Sequence, residues 1–134
     1  MRVLWSFPLT ALVIAAYNLV AILPGLAPGS EIAEFTMSSG GVLGLTVGDV
    51  LVLAGLVALF LETLKSAKPR GGTVVDHIFS VVVFIVALIE FLLVPFCATA
   101  SFLILTAITL IDVVGGFSVS IFSARRDFSV GPES

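Results

Sequence analysis

Four long apolar runs, separated by short polar stretches, dominate the chain. They cover residues 4–23, 47–66, 74–95 and 100–122, and none alternates apolar with polar residues as a membrane β-strand does. A helix of about 20 residues, rising about 1.5 Å per residue, crosses a hydrocarbon core of about 30 Å. We therefore predict an all-α membrane protein, one domain of four transmembrane helices in an antiparallel up-down bundle.

The first run has a second interpretation, a signal peptide. The apolar core of a signal peptide is usually about 7–15 residues long, which is shorter than this run. The small-residue cleavage site around Ala27 is followed by Pro28. We therefore favour an uncleaved helix, and Pro8 fits its first turn if the helix begins near residue 6 or 7.

Residues 24–45 form the one sizeable loop, which is rich in Pro, Gly and Ser. Two interpretations compete for its interior: a short helix capped by Ser30, or a β-hairpin with strands at 34–37 and 42–45 around a glycine-containing turn. We favour the hairpin, which would be marginally stable unless it packs on the helices.

The second and third helices begin with the same local pattern. Thr46 is followed three residues later by Asp49, and Thr73 by Asp76. In a capping box of this kind, the hydroxyl and the acidic side chain satisfy backbone N–H groups that have no partner within the helix. We therefore predict that all four residues cap helices.

Two acids, Glu90 and Asp112, lie inside apolar runs. A charged group at the centre of an inserted helix costs roughly 2.5–3.5 kcal/mol, so each acid requires an explanation. One hypothesis is structural: a protonated carboxyl hydrogen-bonds across helices and holds the bundle together. The other is functional, because intramembrane acids often mark ion or proton pathways or ligand sites.

Counting residues from the helix ends places these polar groups at different depths. Asn18 and Glu90 each lie about 7–8 Å below the outer ends of their helices, so they are candidate neighbours. Across the hairpin of the last two helices, Thr106 is expected to lie closest to Glu90.

Asp112 lies deeper, about 18 Å below the outer boundary. Its candidate partner is either Thr109 on its own face, or Thr10 if the first helix packs there. Glu62, near the inner interface, is expected to form a local ion pair with Lys65 and to extend toward the interface.

Small residues predict where helices approach closely. Gly48, Gly55 and Ala58 share a face of the second helix, and Gly115 and Gly116 follow Asp112 in the fourth. In lipid, such residues allow close backbone packing, either within the bundle or against another subunit.

Composition and charge support the membrane class. The chain is 59% hydrophobic and 11% charged, with mean hydropathy +1.25, whereas soluble domains are about 25% charged. The net charge of −3 and the absence of a basic stripe argue against a nucleic-acid partner.

The positions of the basic residues predict the orientation. With four spans, all six fall on one side: Arg2, Lys65, Lys68, Arg70, Arg125 and Arg126. Basic residues concentrate in cytoplasmic loops, so both termini and a tail at 127–134 are expected in the cytoplasm, with the loop 24–45 outside.

Candidate chemistry is sparse. Cys97 is the only cysteine and His77 the only histidine, and along one helix they would lie about 30 Å apart, too far to share a metal ion. We find no nucleophile paired with a base and no glycine-rich phosphate loop. We therefore expect neither an enzyme nor a resident cofactor or metal.

Several segments carry a resemblance. They are WSFPLT at 5–10, YN at 17–18, LTVGD at 45–49, VDH at 75–77, EFLL at 90–93, and the stretch from Asp112 to the RRD at 125–127. Together they resemble a group of short four-span bacterial inner-membrane proteins without an assigned function. The resemblance implies a bacterial cytoplasmic membrane and no mechanism.

These observations predict a protein of structural or accessory type, embedded in a lipid bilayer and packing with itself or within a larger membrane complex. The alternative is a small transporter or a proton- or cation-conducting unit that uses Glu90 and Asp112 in a homo-oligomer.

Overall fold

The computed structural model describes residues 7–67 and 74–129, without the side chains of Ser120 and 123–129. The described chain is mostly helical, as predicted, and carries one small sheet. Its elements are α1 (Leu9–Ile22), β1 (Glu31–Thr36), β2 (Val42–Thr46), α2 (Val47–Ala67), α3 (Val74–Leu93), a 3-10 turn (Pro95–Cys97) and α4 (Ala100–Ser129). Among the described helices, α2, α3 and α4 are long and apolar enough to cross a membrane, while α1 has 14 residues.

Two helix boundaries differ from the predictions. Helix α1 begins at Leu9, later than expected, because Pro8 is extended with ψ 133° and serves as the N-cap; residues 4–6 of the predicted span lie outside the described part. Helix α4 continues past 122 to Ser129, because no Gly or Pro interrupts the chain between Phe117 and Ser129. Residues 127–129 of the predicted tail are therefore helical.

The helices alternate in direction, as an up-down bundle requires. The first residue of α1, Leu9, contacts Glu62 near the end of α2, while Tyr17 near the end of α1 contacts Thr99 just before α4. Helices α2 and α3 both pack on α4, and α1 packs mainly on α2. Within the described ranges, α2 and α3 share no extensive interface, although they follow each other in the chain.

The predicted small-residue face of α2 packs against α4. A Cβ atom on Gly55 would lie 2.8 Å from Leu105 Cδ2, and one on Gly48 would collide with the Ser101 side chain. Ala58 is also buried. These three positions therefore make intrachain packing contacts, and they allow the two parallel helices to approach closely.

The two glycines of α4 differ from each other. A Cβ on Gly116 would lie 3.3 Å from the His77 ring, so this residue packs against α3. A Cβ on Gly115 would meet no atom within 4 Å. Of the two alternatives, contact within the bundle therefore holds for Gly116, whereas Gly115 makes no such contact and a surface for another subunit stays a prediction.

The loop interior is a β-hairpin, and the short-helix interpretation is wrong. Strands β1 and β2 pair antiparallel, and the pairing extends through a bulge to Glu31 opposite Thr46, so β1 begins earlier than predicted. Gly40 in the turn has φ +87°, a conformation that glycine adopts without strain. The Val47 N–H donates to the Ser30 carbonyl at 2.9 Å, which ties the base of the hairpin to α2.

The first capping box is confirmed. The Asp49 N–H donates to Thr46 Oγ1 at 3.1 Å, and the Thr46 N–H donates to Asp49 Oδ2 at 2.9 Å. The second box, Thr73 with Asp76, stays a prediction because Thr73 lies outside the described residues.

Candidate functional site

Polar side chains between the helices form two separate layers. The first, which we call the Asp112 layer, consists of Thr10, Glu62, Lys65, Ser80 and Asp112. The second, the Glu90 layer, consists of Asn18, Glu90 and Cys97. Every α-helix contributes to the Asp112 layer, whereas the Glu90 layer joins α1, α3 and the turn that follows α3.

Asp112 accepts a hydrogen bond from a hydroxyl group of α1 and lies near a hydroxyl group of α3. Thr10 Oγ1 of α1 donates to Asp112 Oδ2 at 3.3 Å. The Ser80 hydroxyl of α3 also faces Asp112, although it donates to the Asp76 carbonyl at 3.2 Å. The predicted contact with Thr10 is therefore confirmed.

Thr109, the alternative candidate, makes no hydrogen bond to Asp112. Its hydroxyl donates to the Thr106 carbonyl at 2.6 Å, because a threonine in a helix can satisfy its hydroxyl on the preceding turn. Thr106 likewise donates to the Phe102 carbonyl at 2.9 Å and does not bond to Glu90. Both threonines are buried, but neither joins the acids.

Glu62 forms a hydrogen bond between helices that the sequence did not predict. Its Oε1 accepts the Leu9 N–H at 2.8 Å, so this side chain of α2 caps the first turn of α1. The predicted ion pair is confirmed, with Lys65 Nζ 3.5 Å from the same oxygen. Glu62 is only 7% exposed, so its side chain lies between the helices, and its extension toward the interface stays a prediction.

The neighbourhood of Glu62 and Asp112 follows from the parallel packing of α2 and α4. Gly48 and Ser101 lie side by side at the start of the two helices. From that level, Glu62 and Asp112 are about 21 and 17 Å along their helices. Asp112 therefore has a second acid in its neighbourhood, which the sequence did not predict.

His77 borders the Asp112 layer. Its ring stacks on Phe117 of α4, with centroids 4.4 Å apart and an interplanar angle of 27°, and it is 7% exposed. The imidazole fills the contact between α3 and α4, where Gly116 leaves room for it.

The Glu90 layer confirms the predicted pairing of Asn18 and Glu90. Asn18 Nδ2 donates to Glu90 Oε2 at 2.7 Å and to the Ile14 carbonyl at 3.0 Å. Cys97 Sγ lies 3.8 Å from both Asn18 Oδ1 and Glu90 Oε2. Asn18 and Glu90 are only half-buried, so this layer is more open than the Asp112 layer.

Cys97 is a buried thiol in this layer. Burial, assisted by the adjacent Glu90 carboxylate, raises the pKa of Cys97 to about 11. The sulfur therefore stays protonated at neutral pH, where it acts as a weak hydrogen-bond donor and a poor nucleophile. This role was not predictable from the sequence, because Cys97 lies in the turn after Pro95 and no local pattern there indicates which helices it contacts.

Tyr17 anchors the end of α1 beside this layer. Its hydroxyl donates to the Phe96 carbonyl at 3.1 Å and lies 2.6 Å from Thr99 Oγ1. The ring packs edge-on against Phe102, with centroids 4.8 Å apart. A buried tyrosine usually needs a partner for its O–H group, and that rule was the one available signal for this contact.

Apolar side chains separate the two layers. The buried residues between them are Ile14 of α1, Ala87 of α3, and Leu105 and Ile108 of α4. The hydroxyls of Thr106 and Thr109, which lie at this level, bond to carbonyls of their own helix. Among the described side chains, no continuous polar path therefore joins the layers within one copy of the chain.

A groove between α1 and α3 leads to the Glu90 layer. It has a volume of about 280 Å³, and its walls are small or branched apolar side chains, with Asn18 and Glu90 as polar members. The walls include Ala11, Ala15, Val82 and Val86. The groove therefore places apolar walls next to a half-buried carboxyl group.

No protein-family model, curated protein or solved structure matches the chain. The resemblance to four-span bacterial proteins therefore gains no support from relatives and stays a prediction.

The described residues contain no group of three or more His, Cys, Asp and Glu side chains positioned to hold a metal ion. What the arrangement offers chemically is hydrogen bonding between helices and two carboxyl groups beside each other.

Proposed function

We propose that this chain is an integral membrane protein of structural or accessory type, a helical bundle that packs with itself or with another membrane protein. In the described part of the chain, three helices are long and apolar enough to cross a bilayer. Their outward faces carry large exposed apolar side chains along the whole length, for example Leu53, Phe60, Ile85, Leu92 and Ile111. Surfaces of this kind suit lipid or the helices of a partner.

The proposal rests mainly on the hydrogen bonds that the acidic side chains of the two layers accept from other helices. Glu62 caps α1, Asp112 accepts from Thr10, and Glu90 accepts from Asn18. Each carboxyl therefore bonds to a group on another helix, which is how polar side chains hold helices together in a membrane. A bundle fixed at two levels in this way is a rigid body that can present its apolar faces to a partner.

We further propose a bacterial cytoplasmic membrane, with both termini in the cytoplasm and the hairpin outside. The support is the placement of all six basic residues on one side of a four-span arrangement. The hairpin, whose charged residues are Glu31 and Glu34, lies at the other end of the bundle from Lys65.

Cysteine labelling tests this orientation. In a Cys97→Ser background, Ser39→Cys in the hairpin turn is expected to react with a membrane-impermeant maleimide in intact spheroplasts. The matched control, Ser134→Cys, is expected to react only after the membrane is permeabilised. The opposite pattern would reverse the orientation, and equal labelling of both sites would contradict an even number of spans.

Extraction in mild detergent tests the accessory role. We expect the chain to migrate as an oligomer, or together with another membrane protein, and to be cross-linked to that partner before extraction. Migration as a free monomer, with no cross-linked product in native membranes, would contradict the proposal.

A second candidate function rests on the Glu62 and Asp112 pair. Acidic side chains inside membrane-spanning helices often mark ion or proton pathways, which suits a proton- or cation-conducting unit. This candidate differs from the prediction, which paired Asp112 with Glu90. It also requires a path through an oligomer, because the described core between the layers is apolar.

Flux into proteoliposomes separates the two candidates. If wild-type chain conducts protons or cations, Asp112→Asn is expected to abolish the flux, while Glu34→Gln on the exposed hairpin leaves it intact. Wild-type flux that Asp112→Asn and Glu62→Gln leave unchanged would eliminate conduction through this pair, and no wild-type flux at all would eliminate conduction itself.

A further inference from the structure

The groove between α1 and α3 has the shape of a site for a single hydrocarbon chain. Its volume of about 280 Å³ is at the lower end of the range for small-molecule sites, about 300–1,000 Å³. One turn of a second helix, about 10–12 Å across with its side chains and about 5.4 Å long, occupies more than this volume. The small side chains of Ala11 and Ala15 on α1 leave space opposite Val82 and Val86 of α3.

The polar members of the groove lie near one end of the helices. Glu90 is about 4.5 Å from the end of α3 at Leu93, and Asn18 about 6 Å from the end of α1 at Ile22. A chain lying in the groove would therefore bring a polar head at this end of the bundle to Glu90. In a bilayer this is the depth at which lipid headgroups begin.

Glu90 has an oxygen to spare for such a head. Its Oε2 accepts from Asn18 and faces the Cys97 thiol, whereas Oε1 has no hydrogen-bond partner among the described residues. The surrounding groups are the Asn18 amide and a protonated thiol, and the described part of the groove carries no basic side chain. A carboxylate in that setting complements a cation that donates N–H hydrogen bonds.

We propose that this groove binds one acyl chain of a membrane lipid with a primary ammonium headgroup, and that Glu90 receives the ammonium. The inference rests on the proposed membrane location but not on the structural or accessory role. Asn18 orients the carboxylate, and the α1 and α3 walls hold the chain. A quaternary headgroup, which has no N–H to donate, fits the same groove less well.

Native mass spectrometry of the full chain, released from vesicles that contain equal amounts of phosphatidylethanolamine and phosphatidylcholine with identical acyl chains, tests this site. We expect wild type to retain phosphatidylethanolamine with about a tenfold preference, the ratio typical of one hydrogen bond to a charged group. Glu90→Gln is expected to retain lipid with the preference lost. Glu34→Gln, on the exposed hairpin, is expected to behave as wild type.

A second variant tests the chain-binding part of the site. Ala15→Phe fills the groove and is expected to reduce retention of both lipids, with Val82→Phe on the opposite wall as an independent version if the first variant misfolds. Equal retention of the two lipids by wild type, an unchanged preference in Glu90→Gln, or full retention in both filled variants would each overturn the proposal. Flotation of the same vesicles reports membrane integration separately, so failure of the membrane location is distinguishable from failure of the site.

Discussion

The Asp112 layer and the Glu90 layer use the same residue types in different surroundings. Thr10, Glu62 and Asp112 are 2%, 7% and 7% exposed, and their partners include a backbone N–H that opens a helix. Glu90 is half-buried, has one strong donor in Asn18, and borders a groove. A buried acid that is needed by a neighbouring backbone is structural, whereas a half-exposed acid with a spare oxygen is available to a ligand.

The largest expected effect is a difference in the free energy of unfolding between a variant of the Asp112 layer and a variant of the Glu90 layer. Glu62→Ala removes the acceptor of the Leu9 N–H and leaves a cavity, so we expect a loss of about 2–4 kcal/mol in the free energy of unfolding. Glu90→Ala removes a half-buried bond whose donor, Asn18, can turn to lipid headgroups or water, and we expect a loss of about 0.6 kcal/mol. Unfolding of each variant in mixed micelles, followed by helical circular dichroism, measures both values.

The matched control is Glu34→Ala on the exposed hairpin, which is expected to unfold as wild type. Equal losses for Glu62→Ala and Glu90→Ala would mean that the two layers contribute alike. A larger loss for Glu90→Ala than for Glu62→Ala would reverse the comparison and with it the assignment of structure to one layer and ligand to the other.

Features that depend on local pattern were predictable from the sequence. The Thr46 and Asp49 capping box, the hairpin turn with Gly40, and the Glu62 and Lys65 pair each involve residues within a few positions of one another. Such contacts form between groups that are close in the sequence, whichever helices pack together. The pairing of Asn18 with Glu90 was predictable as well, because both lie at similar depth in apolar runs, where few partners exist.

Features that depend on which helices touch were not predictable. The capping of Leu9 by Glu62 requires α1 to pack on α2, and the approach of Glu62 to Asp112 requires α2 to pack on α4. The small residues of α2 indicated a close helix contact but did not identify the partner. The start of α1 did carry one signal. Its N-cap residue is Pro8, which has no side-chain oxygen to cap the helix, so the first backbone N–H groups of α1 needed an acceptor from another helix.

An intermediate effect tests how the Glu90 end of the bundle is anchored. Tyr17→Phe removes the hydroxyl that bonds to Thr99 and the Phe96 carbonyl, while the edge-on packing with Phe102 stays. We expect a loss of about 1 kcal/mol in the free energy of unfolding. A double-mutant cycle with Thr99→Val measures the coupling, and additive losses in the cycle would show that the short contact between the two hydroxyls contributes nothing.

The smallest effect concerns how tightly α3 and α4 pack next to the Asp112 layer. Gly115→Ala is expected to stabilise the protein by about 0.4–1 kcal/mol, because alanine favours the helix and a Cβ there meets open space. Gly116→Ala gains the same helix propensity, but its Cβ would press on the His77 ring at 3.3 Å, so we expect no net gain. The two adjacent substitutions thus control for each other in a single unfolding measurement. If Gly116→Ala stabilised as much as Gly115→Ala, the His77 ring could move away at no cost, and the Asp112 layer would be less rigid than its burial indicates.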